Sequence, residues 1–173
     1  MPAPSPSESP SRSAEYGAAG FGNAFDLGYP DALEPGGDGL ATAMEAALRE
    51  AGSATDAIGY VAAHGSATRA GDVGEAQAMR QVFGDSNGLV GSSVKPATGN
   101  LMAGAGALNA AVAVLAIHHG AVPPTLNLEH EDPDCDALDW VPGEARESQL
   151  REALALARGF EGQNVALAMR AVN

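Results

Sequence analysis

The sequence predicts an α/β fold: a mixed sheet with crossover helices, read in the order β-α-β-α-β-α-β-β. Three observations carry this. Short apolar runs end at turn residues, as in "AIGYVAA" and "GLVGSSV". Between them lie stretches whose apolar residues recur at helical spacing. At 173 residues the chain also has the length of one domain, enough to bury a core.

The elements follow in order. "MPAPSPSESPSRS" is rich in Pro and Ser and has no apolar run, so residues 1–13 read as a disordered tail rather than a signal peptide. The folded domain is expected over residues 14–173. "AEYGAAGFGNAF" reads as a strand weakened by glycines, and "YPDALEPGGDG" as a loop. "LATAMEAALREAG" places Leu40, Met44, Ala47, Leu48 and Ala51 at helical spacing and ends on Gly52. "AIGYVAA" is a buried strand ending at His64. "GDVGEAQAMRQVF" is a second helix, with Asp72 as N-cap or first-turn acid. "GLVGSSV" is a strand ending near Lys95, and residues 101–117 form the third helix. "ALDWV" and a hairpin turning at "GFEGQN" close the chain. No repeat of about 20–50 residues is present, which excludes a solenoid.

Composition narrows the function classes. With 22 acids against 9 bases, the net charge of −13 disfavours binding to nucleic acid or to an anionic membrane. The single cysteine, Cys135, excludes an intramolecular disulfide and a cysteine-based zinc cluster, so no metal and a cytoplasmic location are expected. The longest apolar stretch, from Leu101, is interrupted by Gly104, Gly106 and Asn109 and is read as short of the roughly 20 residues of a membrane span. That helix is apolar or small on all sides, so protein must surround it. One sheet covers one side; the other would form an apolar patch that soluble monomers avoid. A partner subunit is therefore expected.

Three polar residues stand just beyond strand ends: His64, Asn100 and Lys95, the only lysine. Sites in α/β sheets gather at that edge. A histidine there can hydrogen-bond a developing oxyanion. Lys95 can pair with Glu75 on the neighbouring helix. Ser66 and Thr68 can hydrogen-bond a polar ligand arm. These residues alone leave two readings open: chemistry at His64, or a structural histidine beside a buried Lys–Glu pair. His118 and His119 read as groups that suit a helix C-terminus.

"VAAHGSATRAGDVGEAQAM" resembles the His-Gly-Thr-x-Thr…Gly-Asp…Glu-Ala block of the β-ketoacyl synthases, condensing enzymes of the thiolase superfamily. "SSVKPATGNLMAGAGALNAAVAVLAIHHGAVPPTLN" is similar to that family's Ser-Ser-x-Lys…Gly-His…Ala-Ala-Gly block and its Pro-Pro-Thr-x-Asn loop. "ARGFEGQNVALAMR" resembles the terminal Phe-Gly-Phe-Gly-Gly-x-Asn turn. The blocks run in order from about Glu15 to the C-terminus. The resemblance implies one half of a thiolase-like fold, the second of its two pseudo-repeated halves, completed by a partner subunit.

It also implies roles. His64 takes the place of the first catalytic histidine, Lys95 of the motif lysine and Glu75 of its acidic partner. Asn100 stands where elongating ketosynthases carry their second histidine. Phe160 matches the gating phenylalanine whose backbone N–H helps form the oxyanion hole. Ser66 and Thr68 match hydroxyls that contact the phosphopantetheine arm of an acyl carrier protein, which enters as substrate; no bound cofactor is implied. Glu161 replaces a glycine of the turn, where its Cβ and charge are expected to disturb the geometry. Nothing in the sequence corresponds to the nucleophilic cysteine, and Cys135 reads as an inert loop residue. Three functions follow from the resemblance. The first is a ketosynthase-like subunit of a type II polyketide or fatty-acid synthase, working with a ketosynthase or its N-terminal half. The second is a non-catalytic subunit like the chain-length factors. The third is a repurposed isomerase, dehydratase or hydrolase acting on a carrier-bound acyl chain.

Overall fold

In a computed structural model of the chain, the described residues are 16–26, 37–84 and 88–172. The expected tail and most of the loop after residue 28 lie outside them. Eight strands are present among these residues: β1 (Tyr16–Phe25), β2 (Ile58–Ala62), β3 (Val90–Ser92), β4 (Ala121–Val122), β5 (Asp139–Trp140), β6 (Arg146–Glu147), β7 (Glu152–Arg158) and β8 (Gln163–Ala171). Six of them form one sheet in the order β1-β8-β7-β2-β3-β5, while β4 and β6 make a separate pair that sequence periodicity does not announce. Strands β7, β2, β3 and β5 are mutually parallel. The hairpin partner β8 is antiparallel to β7 and to β1. Because β2, β3 and β7 run the same way, the residues that follow them meet at one edge of the sheet.

Alternation along the strands sorts the core into two layers. Val61, Leu154, Leu156, Ala166 and Ala168 face α1 (Asp38–Ala51) and α2 (Arg69–Phe83). Tyr60, Ala62, Ala153, Ala155 and Met169 face the opposite side, against the helix at Ala105–His119. The glycines that weaken β1 as a strand turn out to be its packing surface. A Cβ at Gly22 would lie 1.9 Å from Ala43 O, and one at Gly20 2.1 Å from Ala47 O, so α1 rests directly on the backbone of β1.

A single helical turn, α3 (Lys95–Thr98), leads to a 3-10 turn at Met102–Gly104 and then to α4 (Ala105–His119). Thus α4 starts after, not at, Leu101. Its buried residues, Ala105, Asn109, Ala113, Ala116 and Ile117, form one stripe, while Leu115 is 53% exposed. Among the described residues, the apolar face expected without cover is present. Over Met102–His119 the chain is long and apolar enough, by length and composition, to cross a membrane, against the sequence expectation. Asn109 nevertheless fixes this helix to the sheet: its Nδ2 donates to Ala63 O (3.0 Å) and to Leu156 O (2.8 Å). At the other end, Gly120 N–H closes the helix on Ala116 O. His118 reaches Tyr16 instead of the helix carbonyls, with 3.0 Å between Nδ1 and the phenol oxygen.

Candidate functional site

The chain leaves β2 at Ala62 and turns sharply through His64 and Gly65 toward α2. Such a turn strands two main-chain N–H groups inside the protein, where each needs an acceptor. Glu75, in the second turn of α2, supplies both: Oε1 accepts from His64 N–H (2.7 Å) and Oε2 from Gly65 N–H (2.9 Å). Burial pushes the Glu75 carboxyl up from its ordinary range, against the pull of these two amides and of Arg158.

Lys95 follows β3 on the neighbouring parallel strand, and its Nζ donates to the carbonyl oxygen of His64. It therefore does not pair with Glu75, as the sequence suggested; both groups grip the His64 main chain, from opposite ends of the residue. Burial holds the Lys95 ammonium below its ordinary pKa, although the carboxylates of Glu75 and Asp72 favour its charge.

The His64 ring is fixed by a third contact. The main-chain N–H of Arg158, at the end of β7, donates to Nδ1 (3.2 Å), and Lys95 Nζ stands 3.4 Å from the same nitrogen. A nitrogen that accepts from an amide carries no proton, so in the neutral ring the proton sits on Nε2. Desolvation, followed by the nearby charges of Lys95 and Arg158, lowers the His64 pKa to about 4. At neutral pH the side chain is thus an uncharged Nε2–H donor.

His64 lines a cleft of about 590 Å³ with Ser66, Thr68, Asn100, Met102 and Phe160. An adjoining recess of about 500 Å³ holds Lys95 and shares Ser66 and Asn100 with it. The fold therefore gathers His64, Lys95, Asn100, Phe160, Ser66 and Thr68 around one opening, with Glu75 behind it. Asn100 Oδ1 accepts from Met102 N–H (3.1 Å); its Nδ2 has no acceptor among the described residues. Phe160 is 71% exposed on the β7–β8 turn. Its N–H likewise has no acceptor among the described residues, whereas Gly159 and Gly162 donate within the turn.

Ser66 and Thr68 are less free than a ligand-binding pair would be. Their hydroxyls lie 2.9 Å apart, and Ser66 Oγ also donates to Asp72 Oδ1 (3.1 Å). Thr68 Oγ1 accepts from Gly71 N–H (3.2 Å), which makes Thr68, not Asp72, the N-cap of α2. Asp72 is the first-turn acid. Between the two hydroxyl residues, Ala67 takes a left-handed conformation, φ 58°, a strained one for a residue with a Cβ.

Glu161 does not disturb the turn as expected. The left-handed position is Gly162, φ 86°, and the exposed Glu161 carboxylate accepts from Gln163 Nε2 (3.4 Å). Cys135 does not line the cleft with His64; it borders a separate cavity of about 410 Å³ that Glu75 also lines. Burial and the carboxylates of Asp132, Asp72 and Asp134 push its thiol up, so it is protonated and weakly nucleophilic at neutral pH.

Sequence reasoning missed the supports of this arrangement. Asn109, a lone amide within an apolar helix, was legible only as an interruption. Arg158, Asp26 and Asn164 form a buried cluster behind His64 whose members are scattered along the chain.

Comparison with known proteins agrees with this geometry. The family model for the β-ketoacyl synthase C-terminal domain matches residues 19–129. The chain is 41% identical, over 154 residues, to 3-oxoacyl-[acyl-carrier-protein] synthase 2 of Coxiella burnetii, covering 88% of this chain and 37% of that relative. The solved ishigamide ketosynthase/chain length factor superposes with a TM-score of 0.85 at 36% identity, over 90% of this chain and 38% of the other. A type II polyketide synthase acyl-carrier protein in complex with its ketosynthase, bound to the hexaketide, gives 0.86 at 33% identity, again over 90% and 38%. The chain spans well under half the length of each. Motif order, sheet topology and the matched residues converge: the chain belongs to the β-ketoacyl synthase family, in which it corresponds to the C-terminal domain.

Proposed function

We propose that the chain supplies the histidine side of a condensing site whose nucleophilic cysteine comes from a ketosynthase or a ketosynthase N-terminal half. The observation that carries this is the Arg158 N–H bond to His64 Nδ1, which leaves a neutral Nε2–H on a ring lining the cleft. The acyl group waits on the partner's cysteine as a thioester. A malonyl group arrives on the phosphopantetheine arm of an acyl carrier protein, past Ser66 and Thr68. His64 Nε2–H and Asn100 Nδ2 donate to the malonyl thioester oxygen. The bond between the malonyl C2 and its carboxylate breaks, CO₂ leaves, and the electron pair forms an enolate held by those donors. The enolate carbon attacks the acyl carbonyl, whose developing oxyanion takes the Phe160 N–H. Collapse expels the cysteine thiolate and leaves a 3-ketoacyl chain on the carrier. Lys95 and Glu75 act by holding the His64 main chain.

The chain-length-factor-like reading is favoured by Asn100, whose Oδ1 is already engaged by its own loop, and by the carboxylate of Glu161 beside Phe160. Reconstitution separates the two. The chain is mixed with a cysteine-bearing ketosynthase half, acyl donor and malonyl-carrier, and products are read by mass spectrometry. A co-eluting complex that forms the 3-ketoacyl product supports condensation. A complex that forms none rejects it and leaves the stabilising role.

A further inference from the structure

A polar cluster outside the cleft holds the strand end behind His64. Arg158 ends β7, and its side chain and that of Asp26 are each 1% exposed. The guanidinium donates three ways: Nε to Asn164 Oδ1 (2.9 Å), Nη1 to Gly71 O (3.0 Å) and Nη2 to Asp26 Oδ2 (3.3 Å). These acceptors belong to β8, to the first turn of α2 and to the residue after β1. The cluster is tied together elsewhere too, although Asp26 Oδ1 is buried with no hydrogen-bond partner among the described residues. Asn164 Nδ2 and Asp26 N–H both donate to Gly162 O (3.0 and 2.8 Å), and a Cβ at Gly39 in α1 would lie 2.2 Å from Asp26 Oδ1. Meanwhile the main-chain N–H of the same arginine donates to His64 Nδ1. One residue thus joins the cluster to the ring.

A buried arginine requires a counter-charge and acceptors in fixed directions, and Asp26, Asn164 and Gly71 O provide them. We propose that Arg158, clamped by Asp26 and Asn164, is a positioning residue for His64, keeping the β7 amide on Nδ1 and the ring proton on Nε2. The inference rests on the reading of His64 as a hydrogen-bond donor. The charged groups facing that residue are Lys95, Arg158 and Glu75.

The test is nuclear magnetic resonance of the full chain labelled with ¹⁵N-histidine, following the His64 ring nitrogens across pH. Wild type is expected to show one tautomer, protonated on Nε2. The double variant Asp26→Asn/Arg158→Leu removes both charges, so neither is left buried alone. With the amide displaced, Lys95 Nζ is the donor left near Nδ1 among the described residues, so the variant is expected to move part of the proton onto Nδ1 and to raise the titration midpoint on the order of one unit. Wild-type signals in the folded double variant overturn the proposal. Should that variant not fold, Asp26→Asn alone decides: a mixed tautomer supports the clamp, and unchanged signals refute it. Because the readout needs no turnover, a fixed tautomer in an inactive complex leaves the clamp standing and removes only the condensing role.

Discussion

His64 is 8% exposed and is held at its N–H by Glu75, at its carbonyl by Lys95 and at its ring by the Arg158 amide. Its folded pKa of about 4 lies below the ordinary 6.5, so between those values the unfolded chain binds a proton that the folded chain does not. Stability from this group is complete above about pH 6.5 and is lost as pH falls toward 4, by on the order of 3 kcal/mol. Glu75, whose carboxyl is shifted upward, contributes a slope of opposite sign. The difference between wild type and His64→Gln therefore isolates the histidine. Urea unfolding at several pH values is expected to show wild type losing stability faster than the variant between pH 6.5 and 4. Parallel profiles would mean that His64 titrates normally. Much of this residue's setting was legible in the sequence: the strand ends placed His64 and Lys95 at one edge, and the spacing put Glu75 on the adjoining helix. What Lys95 touches was not, because a pairing of opposite charges is the natural reading until the stranded His64 and Gly65 amides are seen to occupy both carboxylate oxygens.

At the scale of elements, the site depends on how closely helices lie on the sheet. The α1–β1 contact is backbone on backbone, with Gly20 and Gly22 as its floor. Gly22→Ala puts a Cβ 1.9 Å from Ala43 O and must move α1, at a cost of roughly 3 kcal/mol. Gly17→Ala, whose Cβ would meet Val172 at an ordinary 3.7 Å, is the control, with little expected change; thermal unfolding of the two variants checks this. Helical spacing and strand alternation revealed the main elements because each has a face that must be buried. The two-residue strands β4 and β6 are too short for alternation to register. The Asp26–Arg158 contact spans 132 positions, and no local pattern encodes a pairing at that range. The glycines of β1 were visible but read as weakness, since their purpose appears only when the helix above them is in place.

At the scale of the whole molecule, nothing among the described residues covers Leu115 on α4, 53% exposed, or Leu101 and Met102 in the turn that precedes the helix, 46% and 60% exposed. Met102 also lines the cleft with His64 and Phe160, so the exposed turn before α4 and the site are continuous. A subunit seated there would cover the apolar surface and bring its own residues to the cleft in one step, as the proposed joint site requires. In the proposed joint site, His64 would act on a carrier-bound thioester. The direct measurement is the rate of 3-ketoacyl product formation by the complex with a cysteine-bearing ketosynthase half, wild type against His64→Ala, with complex formation verified by size-exclusion chromatography. An intact complex with a loss on the order of 10²-fold or more is expected. An intact complex with an unchanged rate would remove His64 from the chemistry.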